Sequence, residues 1–273
     1  MAIRGLYVSY WKRGLRSQKE CDETIQRAKD VGVNELLIGI RKSVHVGQHV
    51  ISFPYFDYYK DTSALKVSAY IALLPLWGAF WDSRIQDYKG VSRDWLMSDR
   101  PYQLQVIGDV NWKQMIDPTI PEAREWIYQS VKEVFKTYDC DFTIKQSYYP
   151  PWYNACGNGT ADDKTKALSE LVIGVAKAFR EVNQNRLTLE VPNIDRAKDT
   201  MYLDYEKLIE DSVVDRLAPI VKDSNLDDFS QKMSAKSYPY IFTYSYGKRL
   251  NDFDQKDVLI HSYALMYPQE EKF

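Results

Sequence analysis

Short apolar runs alternate with amphipathic helical stretches along almost the whole chain, and this alternation limits the fold more than any other feature. Eight runs read as strands: "GLYVSYW" (5–11), "ELLIGIR" (35–41), "VSAYIALLPLW" (67–77), "CDFTIKQS" (140–147), "RLTLEVPN" (186–193), "VDRLAPIVKD" (214–223), "YPYIFTYSY" (238–246) and "DVLIHSYALMYP" (257–268). The last of these also admits a short helix. Helical patterns lie between them. Ser17 with Glu20 three residues on has the form of a capping box, and that helix ends near Gly32. Residues 121–138 open with Pro and early Glu residues, and they space Trp126, Ile127, Val131, Val134 and Phe135 as a helix does. Residues 165–183 form a second strong helix, and 202–212 and 227–237 read as shorter ones. The aromatic stretch "FPYFDYYK" before the third strand reads as an irregular loop.

Strands joined by helices pair in parallel. The pattern predicts a (β/α)8 TIM barrel, one domain over residues 1–273 with elaborated loops, the longest spanning 82–114. An open doubly wound sheet is the alternative. No glycine-rich phosphate-binding turn follows any strand, which removes the main reason to prefer it.

Charge excludes some partners. The 36 basic and 38 acidic residues leave a net charge of −2, with no basic patch to attract nucleic acid or an anionic membrane. The best apolar run, "AYIALLPLWGAFW", is broken by Pro75 and Gly78 and is too short to span a bilayer. The N-terminus shows no basic-then-apolar leader, so the expected location is cytoplasmic unless a leader has been removed. Cys21, Cys140 and Cys156 are too few and scattered for a disulfide framework. His45 and His49 have the spacing of a helical metal pair, but Gly47 and the β-branched residues around them argue against a helix. No metal and no cofactor is expected. Aromatic residues, at 14% with 21 Tyr and 7 Trp, cluster in polar, turn-rich stretches, where flat amphipathic rings suit stacking on sugars.

In a barrel the ligand sits at the C-terminal ends of the strands. That rule selects Tyr10, Arg41, Trp77, Gln146, Tyr148, Tyr149, Trp152, Tyr244 and His261 as substrate-binding candidates. Glu190 ends an apolar strand before a Pro-containing turn, so it is the candidate general acid or base, with Asp82 or Asp223 as a second carboxyl. The competing reading of Glu190 is a structural carboxylate paired with Arg41 or Lys145. Asp117, just ahead of a helix, is explained by capping or turn formation.

Several blocks resemble the family-10-like group of glycoside hydrolases. "IRGLYVSYW" followed by "AKDVGVNELLIGIR" is similar to that group's opening "RGVW" strand and its "LGxNAVxxQVR" strand with a terminal arginine. "MIDPTIPEAREWIYQSVKEVFKTYDCDFTIKQSYYP" resembles "LDPxxPEVRxYIxxxVxEVxxxYDVDGIHxDxxxYP", and "VVDRLAPIVKD" resembles "VDxIxPMxY". The resemblance covers scattered blocks from residue 3 to 223 and implies the same barrel, an oligosaccharide or polysaccharide ligand, and hydrolysis of O-glycosyl bonds. It departs where the group's strand-ending aspartate falls on Gln146, because a neutral amide is neither nucleophile nor proton carrier. The segment is also one residue shorter before Tyr149-Pro150. Three readings follow: a hydrolase using Glu190, a silent barrel that binds a glycan on its aromatics, or a scaffold in a larger assembly.

Overall fold

A computed structural model describes residues 2–8, 17–40, 44–45, 48–49, 55–74, 95, 116–145, 147, 149, 159–192, 194–221, 226–244 and 257–260. Eight parallel strands close into a barrel: β1 (Arg4–Val8), β2 (Glu35–Ile40), β5 (Lys66–Ala72), β6 (Phe142–Lys145), β7 (Leu187–Val191), β8 (Arg216–Val221), β9 (Phe242–Tyr244) and β10 (Val258–Ile260). The ring runs β1-β10-β9-β8-β7-β6-β5-β2 and closes on itself, so the open-sheet alternative falls. Two further short strands, β3 (Val44–His45) and β4 (Gln48–His49), pair antiparallel outside the ring. His45 lies opposite Gln48 there, so the two histidines do not share a helical face.

Helices α1 (Gln18–Asp30), α3 (Pro121–Thr137), α4 (Ala161–Val182), α6 (Tyr205–Glu210) and α7 (Leu226–Ala235) follow β1, β5, β6, β7 and β8, as the alternation predicts. α2 (Phe56–Thr62) corrects the sequence reading, which had these residues as loop. Its three aromatics hide the amphipathic signal, yet Phe56 and Tyr59 are buried and Phe56 packs on Tyr138 at 4.6 Å. α5 (Ile194–Met201), before α6, is a second helix that the sequence reading left unassigned.

Local signals set the helix ends. Ser17 Oγ accepts from the Glu20 N–H at 3.2 Å, and Gly32 closes α1 with φ +77°. α4 begins four residues ahead of the sequence boundary because Thr160 and Asp163 cap each other reciprocally. α3 and α4 bury Ile127, Val131, Val134 and Phe135 against Leu168, Leu171, Val175 and Phe179. Phe142 of β6 joins Phe135 and Phe179 in an edge-on aromatic cluster, which ties this helix pair to the barrel wall. Gly174 permits the close approach, since a Cβ there would lie 2.3 Å from the Tyr128 ring.

Strand alternation separates two apolar layers. Outward side chains pack under the helices in the large core, whereas Tyr7, Leu37, Ala218, Ile241 and Leu259 form a separate cluster inside the ring. By the same parity Glu35, Ser68, Tyr70, Thr143, Lys145, Thr188, Glu190, Arg216 and Thr243 also point inward. Among the described residues no helix is long and apolar enough to cross a membrane.

Candidate functional site

Lys145 is the last residue of β6, and Glu190 is the next-to-last of β7. The β6–β7 register pairs Phe142 with Leu187, Thr143 with Thr188 and Ile144 with Leu189. Extending it by one residue sets Lys145 beside Glu190, both inward, at the C-terminal end of the barrel. Their side chains meet with Lys145 Nζ 3.0 Å from Glu190 Oε2. Glu190 is 2% exposed and Lys145 8%. Two carboxylate-compatible cations were available from the sequence, and the described ion pair uses Lys145.

Tyrosines from two other strands complete the surroundings. Lys145 Nζ lies 4.1 Å from the centre of the Tyr7 ring and 5.0 Å from that of Tyr70. The two rings meet edge to face at 5.1 Å. Tyr70 reaches this position because Gly39 on the adjacent strand leaves room; a Cβ on Gly39 would stand 2.6 Å from the Tyr70 hydroxyl. A cation over aromatic faces, with a carboxylate at contact distance, is stabilised more strongly than the same groups in water.

The electrostatics follow from that enclosure. Burial lowers the Lys145 pKa below that of an ordinary lysine, and the negative charge of Glu190 opposes the shift. Burial, followed by the charge of Glu190, pushes the Tyr7 phenol well above its usual value, while Thr243 beside it acts the other way. Tyr7 therefore remains a neutral hydroxyl. The assembly offers one amine, one carboxylate and two phenols within a few ångströms, which suits proton transfer and recognition of hydroxyl or carbonyl oxygens.

Tyr149 requires a correction. It was expected to present its ring to a ligand, but it has no exposed surface. Its hydroxyl lies 3.0 Å from Asp117 Oδ1, its ring meets Tyr202 edge-on at 5.6 Å, and Lys164 Nζ sits 5.4 Å from its centre. Burial and then the Asp117 charge push its phenol pKa far up. Asp117 Oδ1 also accepts from the Thr119 amide and hydroxyl, which is the turn-forming role expected for it. Tyr149 thus anchors the rim of the barrel and does not stack on a ligand.

Tyr244 ends β9, its backbone paired with Val221 and Ile260. The other expected residues, Tyr10, Arg41, Trp77, Asp82, Gln146, Tyr148, Trp152, Asp223 and His261, lie outside the described residues. Sequence reasoning took strand ends one by one and so passed over Tyr7 and Tyr70. Parity was the available signal: Gly5 must face inward where the chain crowds Leu37 and Leu259, and Tyr7, two residues on, faces the same way. Among the described residues no group of acidic, His or Cys side chains is arranged to hold a metal. Cys21 and Cys140 are buried free thiols, with burial raising their pKa values to about 11 and about 12.

A groove of about 620 Å³ lies between the N-terminal turns of α3 and α4. Arg124, Asp163, Lys166 and Glu170 line it, and Arg124 is tied to Glu170 at 2.7 Å. It is separate from the Lys145–Glu190 pair.

No protein-family model matches the sequence, and no curated protein matches it. Solved structures do match the fold. The glycoside hydrolase domain of PgaB (BpsB) from Bordetella bronchiseptica superposes with TM-score 0.66 at 9% identity, covering 99% of this chain and 97% of that one. The catalytic domain of β-amylase from Paenibacillus polymyxa gives 0.62 at 12% identity, covering 97% and 94%. Aspergillus fumigatus Ega3, solved with galactosamine, gives 0.53 at 10% identity, covering 97% and 94%. At such identities the likeness is one of architecture: this chain shares the (β/α)8 barrel of these structures.

Proposed function

We propose that the chain is a glycoside hydrolase-like, carbohydrate-active barrel whose mouth accepts an oligosaccharide or polysaccharide, with Glu190 as its working carboxylate. The observation that carries this reading is the place of Glu190, inward at the C-terminal end of β7, where barrels do their chemistry. The fold neighbours support it, since one is named a glycoside hydrolase domain, another is the catalytic domain of a β-amylase, and a third was solved with galactosamine.

The 3.0 Å contact with Lys145 refines the role. An adjacent ammonium favours the carboxylate form, so Glu190 serves as base or nucleophile and the acid comes from another carboxyl. Asp82 and Asp223 remain the candidates for it. A separation of about 5–5.5 Å from Glu190 would give retention of configuration, and about 6.5–9.5 Å inversion.

A second reading has its own support. The resembled family's pattern places an acid four residues before its Tyr-Pro; counted back from Tyr149-Pro150, that position is Lys145. Counted forward from Tyr138-Asp139 it is Gln146, and neither is an acid. A barrel that has exchanged this acid for an amine or an amide binds a glycan without cleaving it, or serves as a scaffold.

One experiment separates the readings. Reducing-end release is measured for the wild-type protein and for Glu190→Gln on a panel of β-glucans, mannans and poly-hexosamines. Hydrolysis predicts a loss of about 100-fold or more in the variant. Equal rates in both proteins remove Glu190 from the mechanism. Glycan binding with no released ends in the wild type favours the silent barrel.

A further inference from the structure

Alone of the charged pairs among the described residues inside the barrel, Lys145–Glu190 sits at the end where barrels bind ligands, and the amine is as central as the carboxylate. Among the described residues the charged partner of Glu190 is an amine held 3.0 Å away. The amine is seated on the Tyr7 and Tyr70 rings at 4.1 and 5.0 Å. An amine desolvated among apolar and aromatic faces, with a base in contact to receive its proton, matches the requirements for covalent amine catalysis.

We propose that Lys145 is a nucleophilic amine that condenses with the carbonyl group of a small aldehyde or ketone, such as the open-chain form of a short sugar, with Glu190 moving the proton. Glu190 takes a proton from the Lys145 ammonium, and the freed nitrogen lone pair adds to the carbonyl carbon. The C=O π pair moves to oxygen, which takes a proton from the now cationic nitrogen and leaves a neutral carbinolamine. Glu190 then returns its proton to that hydroxyl, the C–O bond breaks, and water leaves. The products are one iminium ion and one water, with no oxidant or reductant consumed. The face of the Tyr7 ring lies 4.1 Å from the same nitrogen, and its phenol stays neutral in these surroundings. Burial assists by lowering the Lys145 pKa, which increases the neutral amine that attacks. Hydrolysis and this condensation share Glu190 but are independent claims.

The test needs no natural substrate. The folded wild-type protein is exposed briefly to glycolaldehyde with sodium cyanoborohydride, which reduces an iminium to a stable secondary amine. Adducts are located by mass spectrometry of peptides. Lys145 is expected to label at least about tenfold faster than Lys166 and Lys207, whose side chains are 77% and 62% exposed. Glu190→Gln is expected to slow labelling at Lys145 while leaving Lys166 and Lys207 unchanged, which a merely structural ion pair would not produce. Labelling of Lys145 no faster than that of Lys166 in the wild type overturns the proposal, and this reading does not depend on any variant folding. A protein that forms the adduct but releases no reducing ends keeps the amine and loses the hydrolase. Hydrolysis without the adduct does the reverse.

Discussion

The two ends of the barrel interior both carry charge, and they handle it differently. At the N-terminal end, Glu35 accepts from Ser68 Oγ at 2.7 Å and has Lys66 at 3.6 Å, while Arg216 Nε donates to Thr188 Oγ1 at 3.2 Å. Lys66 also reaches Asp141, which accepts from the Arg186 amide at 2.9 Å. These groups lie at or near the starts of β2, β5, β6, β7 and β8, where each charge meets short polar side chains and backbone groups. At the C-terminal end the charges of Lys145 and Glu190 meet each other and the faces of two tyrosines. Among the described residues, one end distributes charge over several polar partners, and the other holds a close lysine–glutamate pair against two aromatic rings. The first arrangement suits a floor and the second suits chemistry, in keeping with the division of labour in barrels.

Perturbing each end measures that difference. The largest effect is expected at the mouth. Lys145→Met leaves the Glu190 carboxylate buried without its ammonium, and urea unfolding should show a loss of about 3–5 kcal/mol. Replacing both residues with Met and Leu should recover most of that loss, because no buried charge is left behind. If the single variant is as stable as the wild type, the mouth pair is not the concentrated interaction described.

A smaller loss is expected at the floor. Ser68→Ala removes one donor from Glu35 but leaves Lys66 nearby, so the same measurement should give about 1–3 kcal/mol. A loss equal to that of Lys145→Met would erase the contrast between the ends.

The smallest effect is expected at the floor's outer edge, and it depends on pH. Burial pushes the Asp141 carboxyl up, but the Lys66 ammonium and the Arg186 amide together hold it below the usual range. A group whose folded pKa is depressed contributes stability above its unfolded pKa and loses it as pH falls through the folded value. Asp141→Asn should therefore cost about 1 kcal/mol at neutral pH, Lys66 being half exposed, and the difference from wild type should vanish in strong acid. A difference that persists unchanged to strong acid would place the effect in packing instead of charge.

Much of the fold was legible because its signals are local. Strand runs and the Ser17 cap are written within a few residues of where they act. α2 was missed because its aromatics, Phe56, Tyr58 and Tyr59, mask the helical period, and their burial against Tyr138 comes from residues far along the chain. The site was legible in part. Glu190 stood out as an acid in an apolar strand, and Lys145 was foreseen as a possible structural partner. Tyr149 was misread, because a Tyr between Tyr148 and a pair of prolines looks exposed until Asp117 is seen to meet its hydroxyl.

The sequence by itself determined the alternation of strands and helices, hence parallel pairing, because periodicity and capping act between neighbours in the chain. Only the tertiary structure decided which side chains share the ring's interior. Tyr7, Tyr70, Lys145 and Glu190 come from four strands, and their meeting depends on inter-strand register and barrel closure, which no short stretch of sequence encodes.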